Sequence, residues 1–396
     1  MALANTDILY GGVAKTFHWL TALLILTAIP LGVVANQLPF ETDAELARKA
    51  LVFSIHKTVG IAAFFVALAR ILWALTQRKP CALHPERRAE TWLAETVHWL
   101  LYASLVLVPL SGWLHHAATT GFAPIWWPFG QSLPFVPKSE GVAHFFAAWH
   151  FVFTKVLAVS VLLHIAGALK HVVIDRDDTL RRMWFGRNEI DVTVTPHNHR
   201  PIYIAGALYA VAIALGTVLG WPSAKTAVAS DLGAVASEWT VREGTIGISV
   251  LQLGSAVDGS FADWTAAISF DPDQVGDTKG EVDVTIAIGT LTLGSVSSQA
   301  MGPDFFAVEM FPTATFAGPI LETETGFVVE GSLTIKDNST PVTLPFTIDI
   351  ADNVATVQGA ITLDRRNYEI GTATYADESS LGFPVDVSIA LTAQKE

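Results

Sequence analysis

Cysteine is almost missing from this chain: Cys81 is the only one in 396 residues. That excludes an intrachain disulfide framework, a cysteine-ligated iron-sulfur cluster and covalent haem attachment through Cys-x-x-Cys-His. Charge is scarce as well, at 15% of residues against 51% hydrophobic, which is too apolar for an ordinary soluble protein. After Arg200 there is neither histidine nor cysteine. No Ser-His-Asp or Cys-His set is therefore available there, and hydrolytic chemistry is not expected in the second half.

The charge that is present is divided unevenly. Residues 1–221 hold 17 Lys and Arg against 13 Asp and Glu, a net of +4, whereas residues 222–396 hold 7 against 24, a net of −17. An acidic surface of this kind keeps a domain soluble and excludes a nucleic-acid partner, which needs the opposite sign. The first part contains five apolar stretches, Phe17 to Ala35, Val52 to Leu75, Trp92 to Trp113, Ala143 to Ile174 and Ile202 to Trp221. Each has about the 20 residues needed to cross a bilayer core. The first carries an internal histidine, lacks a clear small-residue cleavage site and is followed by further spans, so it is expected to be retained rather than removed as a signal peptide.

Lys and Arg concentrate in cytoplasmic loops. Arg78, Lys79, Arg87 and Arg88 follow the second span, and Arg176, Arg181, Arg182 and Arg187 follow the fourth. Those loops are expected in the cytoplasm, with the N-terminus, and everything after Trp221 in the periplasm of a bacterial inner membrane. The outer segment changes periodicity: Gly247 to Leu251, Val282 to Ile288, Gly326 to Glu330, Thr343 to Ile348 and Val385 to Leu391 are short, β-branched or alternating, and bounded by Gly, Asp, Asn and Pro. This predicts an antiparallel sandwich or barrel. The expected division is 1–190 for a helical membrane bundle, 191–221 for a cytoplasmic linker and fifth span, 222–228 for a second linker, and 229–396 for the β domain.

Ionisable side chains within membrane helices are costly and usually face the protein interior. His18 begins span one, His56 begins span two, and His150 and His164 lie on span four. Their separation of 14 residues returns to within roughly 40° of the same helix face and is about 21 Å along the axis. Span one starts, and span four ends, on the inner side, so His18 is expected to meet His164 there. His56 is expected to meet His150 on the outer side. Bis-imidazole pockets suit two haem b groups used for electron transfer, the inner iron held by His18 and His164 and the outer by His56 and His150. The plainer reading makes each histidine a polar helix-end residue; zinc would gather four ligands at one place, against this division into pairs. His144 points about 120° away from His150. His98 on span three and Arg70, 14 residues after His56, are candidates to bind haem propionates.

Several motifs carry a resemblance. His18 in Phe-His-Trp-Leu, His56 in Ile-His-Lys-Thr-Val-Gly with Arg70 beyond it, the run from His98 to Pro109-Leu-Ser-Gly112, Trp149-His150 with His164, and Arg176-Asp-Asp-Thr-Leu-Arg-Arg-Met183 resemble bacterial cytochrome b561 over roughly residues 8 to 187. The resemblance implies two non-covalent b haems on those four histidines and electron exchange with ubiquinone or a related isoprenoid quinone; superoxide at the outer face is a donor in some members. Lys57, beside an outer ligand, is the candidate catalytic residue for attracting such an anion, with Lys138 as a further basic residue; a lipid phosphate contact is the alternative role.

In the second half, Trp239-Thr-Val, the stretch Val257 to Pro272, Gly302 to Phe316 with its Phe-Pro-Thr-Ala-Thr-Phe turn, Gly331-Ser-Leu-Thr-Ile-Lys336 and Pro341 to Phe346 resemble the YceI-like family. That implies a lipocalin-like antiparallel β-barrel enclosing a polyisoprenoid lipid. Phe305, Phe306, Phe311 and Phe316 are candidates for its lining or for packed core, and Asp364-Arg365-Arg366-Asn367-Tyr368 for its rim or a solvated turn.

The combined expectation is a four-helix di-haem bundle, a fifth membrane helix and a barrel, working as a membrane electron-transfer protein between quinone and superoxide or another donor. Two alternatives stand beside it: a periplasmic isoprenoid-binding or transport protein anchored by a haem bundle, and the cytochrome b subunit of a larger dehydrogenase.

Overall fold

The structure is a computed structural model that describes residues 2–40, 42–119, 122–185, 200–221, 232–233, 235–294, 296–324 and 326–395. Arg187, the expected linker 191–199 and the expected linker 222–228 lie outside them. The chain divides into a helical unit and a strand unit.

The helical unit contains α1 (Gly12–Gln37), α2 (Asp43–Leu75), α3 (Arg88–Ala117), α4 (Glu140–Lys170) and, after the short α5 (Thr179–Met183), α6 (Arg200–Gly220). Apart from α5, all are long and apolar enough to span a membrane, and the chain is a multi-pass membrane protein. α2 and α3 extend beyond their apolar runs at the N-terminal end, where Asp43 and Glu45 in α2 and Glu90 in α3 favour a first helical turn. α4 continues into a π turn, His171–Asp175, capped by Arg176 at φ 52°. Leu23, Leu72, Leu162, Val211 and Val218 are exposed on the helix exteriors, the disposition for lipid contact.

Small residues let helices approach closely where no hydrophobic force drives them together. A Cβ on Gly216 of α6 would lie 2.7 Å from Trp149 of α4. Tyr209 of α6 is buried and shares a hydrogen bond with Ser104 of α3, while its ring meets Phe153 of α4 at 5.7 Å. These contacts dock α6 on the α3–α4 pair.

The strand unit is one antiparallel sheet of ten strands: β1 (Trp239–Gln252), β2 (Ser255–Phe261), β3 (Trp264–Phe270), β4 (Thr278–Ala287), β5 (Leu291–Thr292), β6 (Thr313–Thr323), β7 (Gly326–Ile335), β8 (Asn338–Ala351), β9 (Val354–Asp364) and β10 (Leu381–Lys395). Their order is β3-β4-β6-β7-β8-β9-β10-β1-β2-β5. The β8–β9 hairpin turns through Asp352 and Asn353, both at positive φ, as a two-residue primed turn requires. The sheet curls until β3 returns to the start of β1: Glu238 N–H donates to Ile268 O (3.1 Å), Ile268 N–H to Ser237 Oγ (2.9 Å) and Trp239 Nε1–H to Phe270 O (2.9 Å). Of the two architectures that the alternation allowed, the chain forms the barrel-like one, because these bonds satisfy the edge that a sandwich would leave open.

Candidate functional site

The site begins with four helices that carry imidazoles into the bundle. At one end, the start of α1 is tied to the end of α5: Lys15 Nζ donates to Trp184 O (2.7 Å), Trp19 Nε1–H donates to Met183 O (2.8 Å), and the Trp19 and Trp184 rings meet edge to face at 5.5 Å. These anchors fix the turn that bears His18. Its ring centre lies 6.0 Å from that of His164 on α4. The ring of His98 on α3 approaches His164 more closely, at 5.1 Å. Three imidazoles therefore meet at this end rather than two. Arg70 of α2 stacks over the Tyr102 ring at 5.3 Å.

At the other end His56 of α2 and His150 of α4 face each other with ring centres 6.4 Å apart. Both are held alike. His56 Nδ1 lies 2.9 Å from Ala28 O of α1, and His150 Nδ1 lies 2.9 Å from Val108 O of α3. A carbonyl only accepts, so each Nδ1 carries the proton and each Nε2 keeps its lone pair, the tautomer that an axial metal ligand needs. The helix surfaces behind them are cut away: a Cβ on Gly32 would come within 2.8 Å of the His56 ring, and one on Gly112 within 2.9 Å of His150 Nδ1.

The pairs fit a metal held between facing rings. Two metal–imidazole bonds of about 2.0–2.1 Å, with about 1.1 Å from each nitrogen to its ring centre, separate the centres by roughly 6.4 Å. The separations of 6.0 and 6.4 Å leave room for a metal ion between each pair, and a donor set of imidazoles fits a bis-histidine haem.

Lys57, one residue after His56, is buried. Lys138 Nζ donates to Ala117 O (2.9 Å) and Ser132 Oγ (3.2 Å), which ties its loop to the end of α3. His144 is exposed, and His115 Nδ1 lies 2.8 Å from Ala143 O.

Two features escaped the sequence reading. Gly32 and Gly112 make room for the imidazoles; the signal was a glycine inside a membrane helix opposite a histidine, legible only once the helices were paired. The second is a cluster beyond the His18 end, where His84, His171 and Asp177 converge. Burial pushes the Asp177 carboxyl up, but hydrogen bonds from Thr179, His171 and His84 outweigh it and hold it at about 2. The separation of 93 positions between His84 and Asp177 gave no spacing to recognise.

Among the described residues the strand unit encloses two apolar spaces, of about 170 and 160 Å³. Ile268, Val284, Leu344 and Ile389 are among the residues lining the first, with Phe316. Phe261, Ile288, Phe305, Phe306 and Val385 line the second together with Arg365, Tyr368 and Tyr375. Ile246, Ile286, Leu333, Leu363 and Val387 border both, so the spaces abut. Phe311 lines neither. The basic cluster is split: Arg366 is exposed and pairs with Asp364 at 2.6 Å, whereas Arg365 is buried and donates to the carbonyls of Ile370, Tyr375, Leu381 and Gly382. Desolvation lowers the Arg365 pKa.

Comparison with known proteins matches residues 9–186 to the family model described as prokaryotic cytochrome b561, and residues 238–393 to the YceI-like domain. Cytochrome b561 homolog 2 of Escherichia coli (strain K12) is 30% identical over 201 residues, which is 49% of this chain and all of that protein. The probable superoxide oxidase CybB of Yersinia pestis is 25% identical over 167 residues, 42% of this chain and 90% of that protein. Among solved structures, Burkholderia cenocepacia BcnA is 27% identical, covering 38% of this chain and 96% of its own, with a TM-score of 0.36.

Proposed function

Since the chain belongs to the prokaryotic cytochrome b561 family and carries a YceI-like domain after its last membrane helix, we propose that it is a transmembrane electron carrier with two haem b sites and an isoprenoid-binding barrel. The observation that carries this reading is the pairing of imidazoles at two levels of α4, His18 with His164 and His56 with His150. When bound, haem b supplies one-electron transfer with no open iron position. The chain's own residues hold and orient it. Ala28 O and Val108 O fix the tautomers of His56 and His150, while His98 and Arg70 flank the His18 end, where they would hold propionates.

A donor and an acceptor complete this reading. Lys57, beside His56, attracts an anionic donor, and superoxide is the one suggested by the name of the Yersinia pestis relative. Two superoxide anions, each giving up one electron, would leave as two dioxygen molecules, and one ubiquinone, taking those two electrons and two protons from water, would leave as quinol. The basic residues Arg78, Lys79, Arg87 and Arg88 after α2, and Arg176, Arg181 and Arg182 after α4, support a bacterial inner-membrane location with the N-terminus cytoplasmic and the barrel periplasmic. The adjoining apolar spaces of the barrel suit an isoprenoid tail, including that of the quinone itself.

Anaerobic mixing of the full chain in liposomes with superoxide, and separately with a ubiquinol analogue, tests the reading through the visible haem bands. Reduction by either within the mixing time is expected. If neither reduces the haems, the second reading gains: the apolar spaces then make the protein an isoprenoid-lipid carrier anchored by its bundle. Co-purification with a dehydrogenase would instead make it that enzyme's cytochrome subunit.

A further inference from the structure

We infer that His84, His171 and Asp177 form a binding site for a divalent transition metal of the zinc class, at the bundle end that bears His18. The three ligands come from separate places. His84 lies in the segment between α2 and α3, His171 opens the π turn that ends α4, and Asp177 follows that turn. Asp177 Oδ2 lies 2.9 Å from His84 Nε2 and 2.7 Å from His171 Nδ1, and Asp175 Oδ2 lies 3.2 Å from the same His171 nitrogen. A tetrahedral zinc with bonds of about 2.0–2.1 Å has ligand–ligand edges of roughly 3.3 Å. The two edges at Asp177 Oδ2, 2.9 and 2.7 Å, reach that length by opening about 0.4 and 0.6 Å, and all three ligand atoms lie within 4.8 Å of one another.

The hydrogen-bond accounting points the same way. His84 Nδ1 faces Glu86 Oε1 at 3.3 Å while its Nε2 faces Asp177. A cation between His84 Nε2 and Asp177 Oδ2 would take the place of the N–H that now donates to that carboxylate. It also leaves the arrangement found around bound metals, with the ligand's other ring nitrogen donating to an outer carboxylate. Asp177 is oriented for the purpose, since Thr179 N–H donates to its Oδ1 (2.9 Å) and leaves Oδ2 for the two imidazoles. The neighbouring acids are already matched by cations: Lys170 pairs with Glu90 and Asp175, and Arg87 with both. Among the described residues Asp177 has only the two imidazoles as ion-pair partners.

Two neutral nitrogens and one carboxylate oxygen select zinc and its first-row neighbours over magnesium or calcium, which require oxygen shells. The fourth position falls to water. The π turn is what makes the convergence possible: an α-helical ending would carry His171 and Asp177 in other directions, and such turns are common at functional sites.

The test is zinc titration of the chelator-stripped, haem-loaded full chain against a colorimetric zinc chelator, with magnesium chloride as control. One zinc equivalent that magnesium does not displace is expected. His84→Ala should abolish it, and Glu86→Gln, at an exposed outer position, should weaken it about 10-fold. The haem spectrum should be unchanged in both variants, which reports that the bundle is intact independently of the electron-transfer reading. Absence of that equivalent, or its persistence in His84→Ala with unchanged affinity, overturns the inference.

Discussion

At His56 and His150 a single hydrogen atom decides what the residue can do. With Nδ1–H committed to a helix carbonyl, Nε2 is left as a base in an apolar interior, poised for a metal rather than for water. The facing glycines are as important as the imidazoles. Gly32→Val places methyl groups where the His56 ring stands, since even its Cβ would lie 2.8 Å from that ring. If the chain holds two haems as proposed, the expected result is loss of about one per chain, read by pyridine haemochrome assay, without any ligand being changed. Lys57 is tested separately. If its charge draws superoxide, Lys57→Gln lowers the bimolecular rate of haem reduction by about 10-fold or more. The quinol reaction should be unaffected, a comparison that rapid mixing makes directly.

Among the elements, the helices were the most legible, because an apolar run of bilayer length has few other readings. Their ends were not: the first turns of α2 and α3 are polar, and the π turn at His171–Asp175 leaves no mark in hydropathy. The pairing of His18 with His164 and of His56 with His150 could be argued from span direction alone. The third imidazole beside His164, His98, could not be ranked as a ring neighbour. In the strand unit the alternation left sandwich and barrel open, since closure depends on hydrogen bonds of Ser237, Glu238 and Trp239 to β3 that no periodicity records. Two substitutions test the elements. Tyr209→Phe removes the α6 hydrogen bond to Ser104 and should cost about 0.6–1 kcal/mol. Gly216→Leu drives α6 off Trp149 and should cost about 1–3 kcal/mol. Both are measurable by unfolding in mixed micelles. In the barrel, Ala266→Phe fills the first apolar space. It should lower co-purified isoprenoid lipid several-fold, measured by mass spectrometry, while leaving the thermal midpoint equal or higher.

For the whole molecule, the division of charge and of histidine tells the same story as the fold. The basic, histidine-bearing part is the membrane bundle; the acidic part without histidine or cysteine is the strand unit with its apolar interior. The imidazoles thus belong to the bundle, and the apolar spaces to the strand unit. The central claim is that two separate imidazole pairs hold two haems, one toward each end of α4. An anaerobic potentiometric titration of the purified chain, followed by visible spectra, tests it most directly. The account predicts two one-electron components of equal amplitude, one missing from His18→Ala and the other from His56→Ala. A single component in the unaltered chain, or loss of both components in each variant, would contradict it.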